Sequence, residues 1–261
     1  MASLEARQLA DLTFQEVSRS LRALSSTYVE RREKLKEGAA LAGAGKRAAF
    51  ALFYGPLHFL LIRRIVAELG DRFVSAPGLV DLGCGTGASG AGWAAACARP
   101  PRITGVDRHP WAIEEAKRTF RDLGLSSTLH VDDLTKVDMR GQRLAPTRGA
   151  RTSGAPRPST SAATGGVLLA FAVNEIAEPE ARAALLARLL SHHASGGRVL
   201  VVEPLARGVT PWWSEWQRAV EAAGGRADEW RFVEPLPDIV ARLDRAAGLN
   251  HRELKARSLA L

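Results

Sequence analysis

Apolar residues return every three or four positions over 3–37, at Leu4, Leu9, Leu12, Phe14, Val17, Leu21, Leu24, Tyr28 and Val29, which predicts one or two helices. Arg31, Arg32, Lys34 and Lys36 close that stretch with positive charge, suited to a helix C-terminus or to contact with nucleic acid. A small-residue hinge follows at 38–45. The helical pattern then resumes over 46–69, with Gly55 and Pro56 as an expected break. Beyond residue 70 short apolar runs alternate with helical stretches. Strands are expected at 79–82, 102–106, 125–131, 167–173 and 198–202, separated by helices at 88–98, 110–123 and 178–190. A helix toward 223, a strand at 226–233, a helix at 238–247 and a strand at 253–261 finish the chain. This alternation predicts an α/β fold with a doubly wound, mostly parallel sheet. The organisation is an N-terminal helical region, 1–70, acting as a cap, followed by a domain over 71–261 with a flexible basic insertion at 140–166.

Composition sharpens this picture. The chain has 261 residues of which 46% are hydrophobic, enough for a sizeable core, and a formal charge of +8 that favours an anionic partner such as RNA. The insertion holds five arginines, three prolines and no acidic residue, so it either tracks phosphates or simply keeps its charge in solvent. Residues 48–62 are apolar, but the run is short, contains Gly55, Pro56 and His58, and is flanked by Lys46, Arg47, Arg63 and Arg64. It reads as a helix packed on the domain. With no apolar signal core at the N-terminus, no membrane partner and a cytoplasmic location are expected. Cys84 and Cys97 are too few for a metal site and give no reason to expect a disulfide.

The stretch GLVDLGCGTGASGAGW at 78–93 carries the chemistry. A strand runs into Gly83, Gly85 and Gly87, which permit tight backbone geometry, and then into a helix whose first N–H groups face a nucleotide-like ligand. The turn lacks the Gly-Lys-Ser/Thr ending of a phosphate-gripping loop. Asp81, two residues before the first glycine, suits a cationic amino group better than a pyrophosphate. Asp107 ends the second strand 20 residues beyond Gly87, where a carboxylate can accept both hydroxyls of a ribose.

DLGCGTG resembles the nucleotide-binding motif of class I S-adenosylmethionine-dependent methyltransferases. The resemblance covers about 60–205 and implies a seven-stranded sheet with S-adenosylmethionine as cofactor. Its methionine portion would lie along Gly83, Gly85 and Gly87, and its amino group near Asp81. An acidic residue after the third strand would receive the adenine amino group, which Asp133 with Leu134 fits best, and Asp132 fits after a slip of one register. Trp111 either stacks near the adenine edge or packs as the opening residue of its helix. Asn174 and Glu175 follow the fourth strand, close to where the family transfers its methyl. Asn174 is the candidate for positioning an acceptor, and Glu175 for orienting substrate or acting as a base. FAVNEI lacks the Pro-Pro-aromatic turn of familiar amino-methylating members, which argues against adenine or glutamine N-methylation of that kind.

The cap together with FAVNEIAEPEARAALLARLL and GGRVLVVEP is similar to a narrower group, the methyltransferase-like family associated with the small ribosomal subunit. That similarity implies an RNA or ribosomal context. The iron-sulfur site of many members is not carried over, since only Cys84 and Cys97 are present. Methyl transfer to RNA is therefore the leading expectation, with a small-molecule acceptor second and a cofactor-binding assembly factor without turnover third. The aromatic cluster Trp212, Trp213 and Trp216 and the cap helices favour a small acceptor, while Tyr54 and His58, four apart on the cap, either face a cleft together or cover its entrance as packing. His192 and His193 fall away from the expected ligand face.

Overall fold

The computed structural model describes residues 1–30, 41–140, 165–205 and 210–261. The basic run at 31–36 and nearly all of the arginine-rich insertion singled out above lie outside the described residues. The helices are α1 (Ala2–Gln8), α2 (Phe14–Glu30), α3 (Ala44–Ala49), α4 (Gly55–Leu69), α5 (Asp71–Val74), α6 (Ala88–Ala96), α7 (Pro110–Asp122), α8 (Pro179–Ala194), α9 (Trp213–Ala222) and α10 (Asp238–Ala246). The strands are β1 (Gly78–Leu82), β2 (Arg102–Asp107), β3 (Ser127–Val131), β4 (Gly166–Ala170), β5 (Arg198–Glu203), β6 (Arg226–Phe232) and β7 (Leu254–Ala260). They form one sheet in the order β3-β2-β1-β4-β5-β7-β6. β7 runs antiparallel to both of its neighbours, β5 and β6, while the pairings from β3 through β5 are all parallel. The doubly wound sheet with an N-terminal helical cap is therefore the observed architecture, and its switch point lies between β1 and β4, whose paired residues are far apart in sequence.

Of the one or two helices expected at the N-terminus the structure has two, dividing at residues 9–13 for a reason written in the sequence. Thr13 and Glu16 form a reciprocal capping box: the Thr13 N–H donates to Glu16 Oε2 at 2.8 Å, and the Glu16 N–H donates back to Thr13 Oγ1 at 3.3 Å. α2 begins there. The expected break at Gly55 and Pro56 is instead a change of pitch. Residues Phe50–Tyr54 form a π turn in which the Gly55 N–H reaches the Phe50 carbonyl, and the chain then passes Pro56 and continues as α4. Proline has no N–H to donate and crowds the carbonyl four residues earlier, so a widened turn accommodates it where a regular one would kink.

This continuous helical stretch, Ala44–Leu69, is 26 residues long and apolar enough to cross a membrane, but 61% of its most apolar window is buried inside the protein. Its principal partner is α6. The two backbones approach so closely that a Cβ on Gly92 would stand 2.5 Å from the Phe59 carbonyl oxygen and 3.2 Å from the Arg63 nitrogen. α1 is tied down from the other side, where Arg7 Nη2 sits 2.6 Å from Oε1 of Glu115, a carboxylate on α7 with a side chain only 1% exposed. The cap is thus fastened to both helices that flank β1 and β2.

Gly92→Ala tests that fastening, because two effects oppose each other. An open helix position would gain about 1 kcal/mol from alanine, whereas forcing backbones apart costs roughly 1–3 kcal/mol. Loss of stability in a denaturant melt is expected.

Candidate functional site

The C-terminal ends of β1 to β4 converge on the glycine turn. Gly83, Gly85 and Gly87 have φ of 77°, 53° and 77°, in the left-handed region that glycine occupies without strain. Space reinforces the requirement at Gly83, where a Cβ would lie 2.6 Å from the Ala172 Cβ, and at Gly87, where it would lie 2.9 Å from the Phe120 ring. Gly85 differs: a Cβ there would meet only the Phe50 ring, 3.9 Å away. The turn is sewn to β2 by the Gly83 and Cys84 N–H groups, which donate to the Val106 carbonyl at 2.8 and 2.9 Å.

Asp81 lies beneath this turn, fully buried, and neither carboxylate oxygen completes a hydrogen bond among the described residues. Desolvation pushes its pKa from 3.8 to about 7; the nearby Gly90 N–H opposes the shift, and Asp107 adds to it. Asp107 has both oxygens on the backbone, Oδ2 accepting from the Gly85 N–H at 2.9 Å and Oδ1 from the His109 N–H at 2.8 Å. A carboxylate has about four lone-pair positions, so each oxygen retains capacity for a hydroxyl. Asp133 Oδ1 accepts from both the N–H and the hydroxyl of Thr135, at 2.8 and 2.7 Å, which holds the turn at the end of β3. Asp132 Oδ1 accepts the Asp133 N–H at 2.8 Å. Leu134 lies against the glycine turn, its Cδ2 3.3 Å from where a Gly83 Cβ would stand. The structure therefore brings Asp81, the three glycines, Asp107, Asp133 and Leu134 to one edge of the sheet.

The two residues expected to act after β4 have different settings. Asn174 is clamped: its Nδ2 donates to Glu203 Oε2, and its Oδ1 accepts from Trp212 Nε1 at 3.0 Å. Glu203, wholly buried at the end of β5, also accepts the Val173 N–H at 3.2 Å. Glu175 faces outward with 44% of its side chain exposed and pairs with Arg108 at 3.1 Å. Desolvation raises its pKa, and Arg108 opposes that rise. Since Arg108 follows β2 and Glu175 follows β4, the pair links the ends of the two strands on either side of β1.

Other candidates resolve into structure. Trp212, Trp213 and Trp216 are buried at 7%, 6% and 1% exposure in the apolar core on one sheet face, so they do not enclose an open pocket. His192 bonds the Gly165 carbonyl at 3.1 Å, next to the start of β4 and at the opposite end of the sheet from the glycine turn. Trp111 is half-buried with the Arg47 guanidinium 5.7 Å from its ring. The Cys84 thiol is buried, and burial with Asp81 and Asp107 nearby pushes its pKa well up, which keeps it from ionising. No cluster of metal-ligating side chains exists among the described residues. Sequence reasoning missed Phe50, Phe171 and Glu203. Only Glu203, an acid closing an apolar strand, carried a readable signal.

A methyltransferase-domain family model matches residues 79–145, the stretch that carries the glycine turn, Asp81, Asp107 and Asp133. The fold is that of the class I methyltransferases. No curated protein matches the sequence significantly. Similar solved structures include magnesium protoporphyrin IX methyltransferase from Synechocystis with bound S-adenosylmethionine, at 15% identity over 78% of each chain and a TM-score of 0.45. An O-methyltransferase from neocarzinostatin biosynthesis aligns over 98% of this chain and 73% of its own, at 17% identity and a TM-score of 0.49. A protein described as a putative rRNA methylase from Clostridium thermocellum aligns over 76% and 91%, at 16% identity and a TM-score of 0.43.

The methyltransferase fold implies S-adenosylmethionine, and the residues present fit it. Asp81 is a buried acid in need of a cation, Gly85 leaves an open cradle, and Asp107 is a strand-end acceptor.

The raised pKa of Asp81 has a signed consequence for the ligand-free protein. The folded state holds this proton more tightly than the unfolded chain, so the associated stability is complete below pH 3.8 and is lost as pH rises through about 7. His58, whose pKa falls from 6.5 to about 4, acts in the opposite sense over an overlapping range, so the informative quantity is a difference between variants. Asp81→Asn should become progressively more stable relative to wild type between pH 4 and 8, by an amount on the order of 4 kcal/mol at most. Thermal melts of both proteins across that range give the answer, and a pH-independent difference would contradict the assignment.

Proposed function

We propose that this chain is an S-adenosylmethionine-dependent methyltransferase. The observation that carries the reading is Asp81: a fully buried carboxylate without a hydrogen-bond partner, under a left-handed glycine turn, at the C-terminal end of the central strand. Such a group costs stability unless a ligand supplies the opposite charge. An amino-acid ammonium supplies it. When bound, S-adenosylmethionine provides a methyl group made electrophilic by its sulfonium.

The chain's own residues hold and exclude. Asp81 takes the ammonium, Asp107 receives ribose hydroxyls on its remaining lone pairs, and Asp133 with Leu134 borders the adenine. Asp133 Oδ2 is without a hydrogen bond among the described residues and is the natural acceptor for an exocyclic amine. Asn174 acts by position: held by Glu203 and Trp212, it fixes the turn after β4 beside Gly83. Glu175, half-exposed and paired with Arg108, is suited to orienting an acceptor at the rim.

For the acceptor, RNA in a ribosomal context is supported by the +8 charge and the acid-free arginine-rich insertion, since phosphate tracking needs dispersed cations. A free aromatic molecule is the second reading, favoured by the rings of Phe50, Tyr54 and His58 beside the glycine turn. An assembly factor that binds the cofactor without turnover shares the same cofactor residues, and methyl incorporation separates it from both.

Asp81→Ala and Asp107→Ala should each weaken S-adenosylmethionine binding by about tenfold or more while leaving a cooperative unfolding transition, as loss of a charge-assisted hydrogen bond requires. Calorimetric titration measures this. Unchanged affinity in both variants would overturn the cofactor site.

A further inference from the structure

The ligand face carries an aromatic cluster that none of the cofactor residues uses. Phe50, Tyr54 and His58 recur at four-residue spacing along the π turn and α4, and their rings stand 5.9 to 6.2 Å apart. His58 closes the cluster by stacking on Phe171, 4.1 Å between centroids and 20° between planes. Because Phe50 borders Gly85 and Phe171 begins the turn after β4, the rings extend from the cofactor cradle to the turn that holds Asn174.

Three features separate this cluster from ordinary packing. Phe171 has φ of +61°, alone among the described non-glycine residues, and a bulky side chain in that region costs about 1–3 kcal/mol. Its N–H is bonded to the Val202 carbonyl at 2.8 Å, so β5 holds the strained turn in place. The second feature is polar. Among the described residues neither ring nitrogen of half-buried His58 makes a hydrogen bond, and neither is sealed from solvent. The third is electrostatic: burial lowers its pKa from 6.5 to about 4, so at neutral pH the ring is uncharged and one nitrogen offers a lone pair.

We propose that Phe50, Tyr54, His58 and Phe171 form the acceptor subsite, that the acceptor is a planar aromatic or heteroaromatic ring bearing an O–H or N–H nucleophile, and that His58 receives that hydrogen. The inference rests on the methyl-transfer reading and names the substrate class of that site. The rings meet one another stacked at 4.1 Å and edge-on at 6.2 Å, and since all four are only half-buried an added ring could take the same geometries on the surfaces they leave uncovered. The hydrogen bond to His58 turns the nucleophile's remaining lone pair toward the methyl. As that lone pair forms the new bond to the methyl carbon, the sulfur keeps the electrons of the bond that breaks, and the acceptor proton passes to the imidazole and then to water. An oxygen that bears both a methyl and its original proton is a far stronger acid than imidazolium, so a weakly basic imidazole suffices. A nucleobase swung out of RNA and a free phenol or N-heteroaromatic share this chemistry.

The test uses the full chain. Wild type is titrated with S-adenosylmethionine, then assayed for labelled-methyl transfer to ribosomal subunits and to a panel of phenols and aminopyrimidine nucleosides. His58→Ala should lower kcat/KM by about a hundredfold, while cofactor affinity stays within about twofold of wild type, and His58→Gln should recover part of the loss. Phe171→Gly should raise KM by about fivefold or more, with relief of the left-handed strain offsetting part of the packing lost with the ring. Independently of turnover, phenol or cytidine added with S-adenosylhomocysteine should shift the His58 ring signals in a nitrogen-proton correlation spectrum, identified by their absence in His58→Gln. Methylated RNA bases or methylated free aromatics each support the proposal and identify the source. An aliphatic product, or His58→Ala with wild-type kcat/KM and no shift of the ring signals, overturns it while the methyltransferase reading stands. Failure of wild type to bind S-adenosylmethionine brings down both.

Discussion

A carboxylate without a partner, buried at the end of the central strand, is the constraint on which the rest of this molecule depends. Asp81 has no exposure to water and no completed hydrogen bond, and its acid is shifted to about 7. A polypeptide selected only for stability would replace it with an apolar residue or give it a cation, because a buried unpaired acid is among the costlier features a fold can carry. Its surroundings instead offer it only the nearby Gly90 N–H, which completes no hydrogen bond. Small residues of α6 lie against it, with Gly90 so close that a Cβ there would stand 2.6 Å from Asp81 Oδ2. The three glycines of the turn supply no side chain, and the sheet changes winding direction next to it, between β1 and β4.

The cap follows from the same arrangement. Apart from the buried Trp93, α6 consists of alanine, glycine and serine, so it can lie close to Asp81 but offers little further area to hold it in place. α4 makes up for this by backbone contact at Gly92 and by filling the core with Leu61, Ile62, Ile65 and Val66. That contact fixes the rotation of the helix and so carries the π turn over the glycine loop, where Phe50 meets Gly85. The N-terminal helices thus brace the glycine-turn side of the sheet and also bring rings to the same face.

The sequence showed some of these features plainly and others not at all, for physical reasons. Strands buried on both faces read as apolar runs, and glycines and acids at fixed offsets from a strand end mark a turn shaped around a ligand. The sheet, the glycine turn, Asp81 and Asp107 were legible on those grounds. Asn174 was visible as a strand-end polar residue, but its confinement by Glu203 and Trp212 joins side chains 29 and 38 positions away and cannot be read from local spacing. The tryptophans show the same limit. A cluster of three aromatics looks like a pocket in sequence, while in the fold their indoles fill the core of one sheet face. The Thr13 and Glu16 capping box was present in the sequence as a short motif, and the longer apolar period masked it.

The turn after β4 shows how rigidity and strain are divided across one site. On one side Glu203, Asn174 and Trp212 form a buried network of matched donors and acceptors, and such networks fix a backbone in a single arrangement. On the other side, three residues earlier in the chain, Phe171 is held in a conformation that phenylalanine avoids, and it stacks on an imidazole without a hydrogen bond. The matched network maintains the strained half: without Glu203 holding the Val173 N–H, the turn would be free to relax φ at Phe171 and withdraw its ring from His58. Unsatisfied groups on the ligand face therefore include Asp81 under the glycine turn and His58 over it. A cation would satisfy the first and a hydrogen-bond donor on a flat ring the second, which are the groups that the proposed cofactor and the proposed acceptor would each supply.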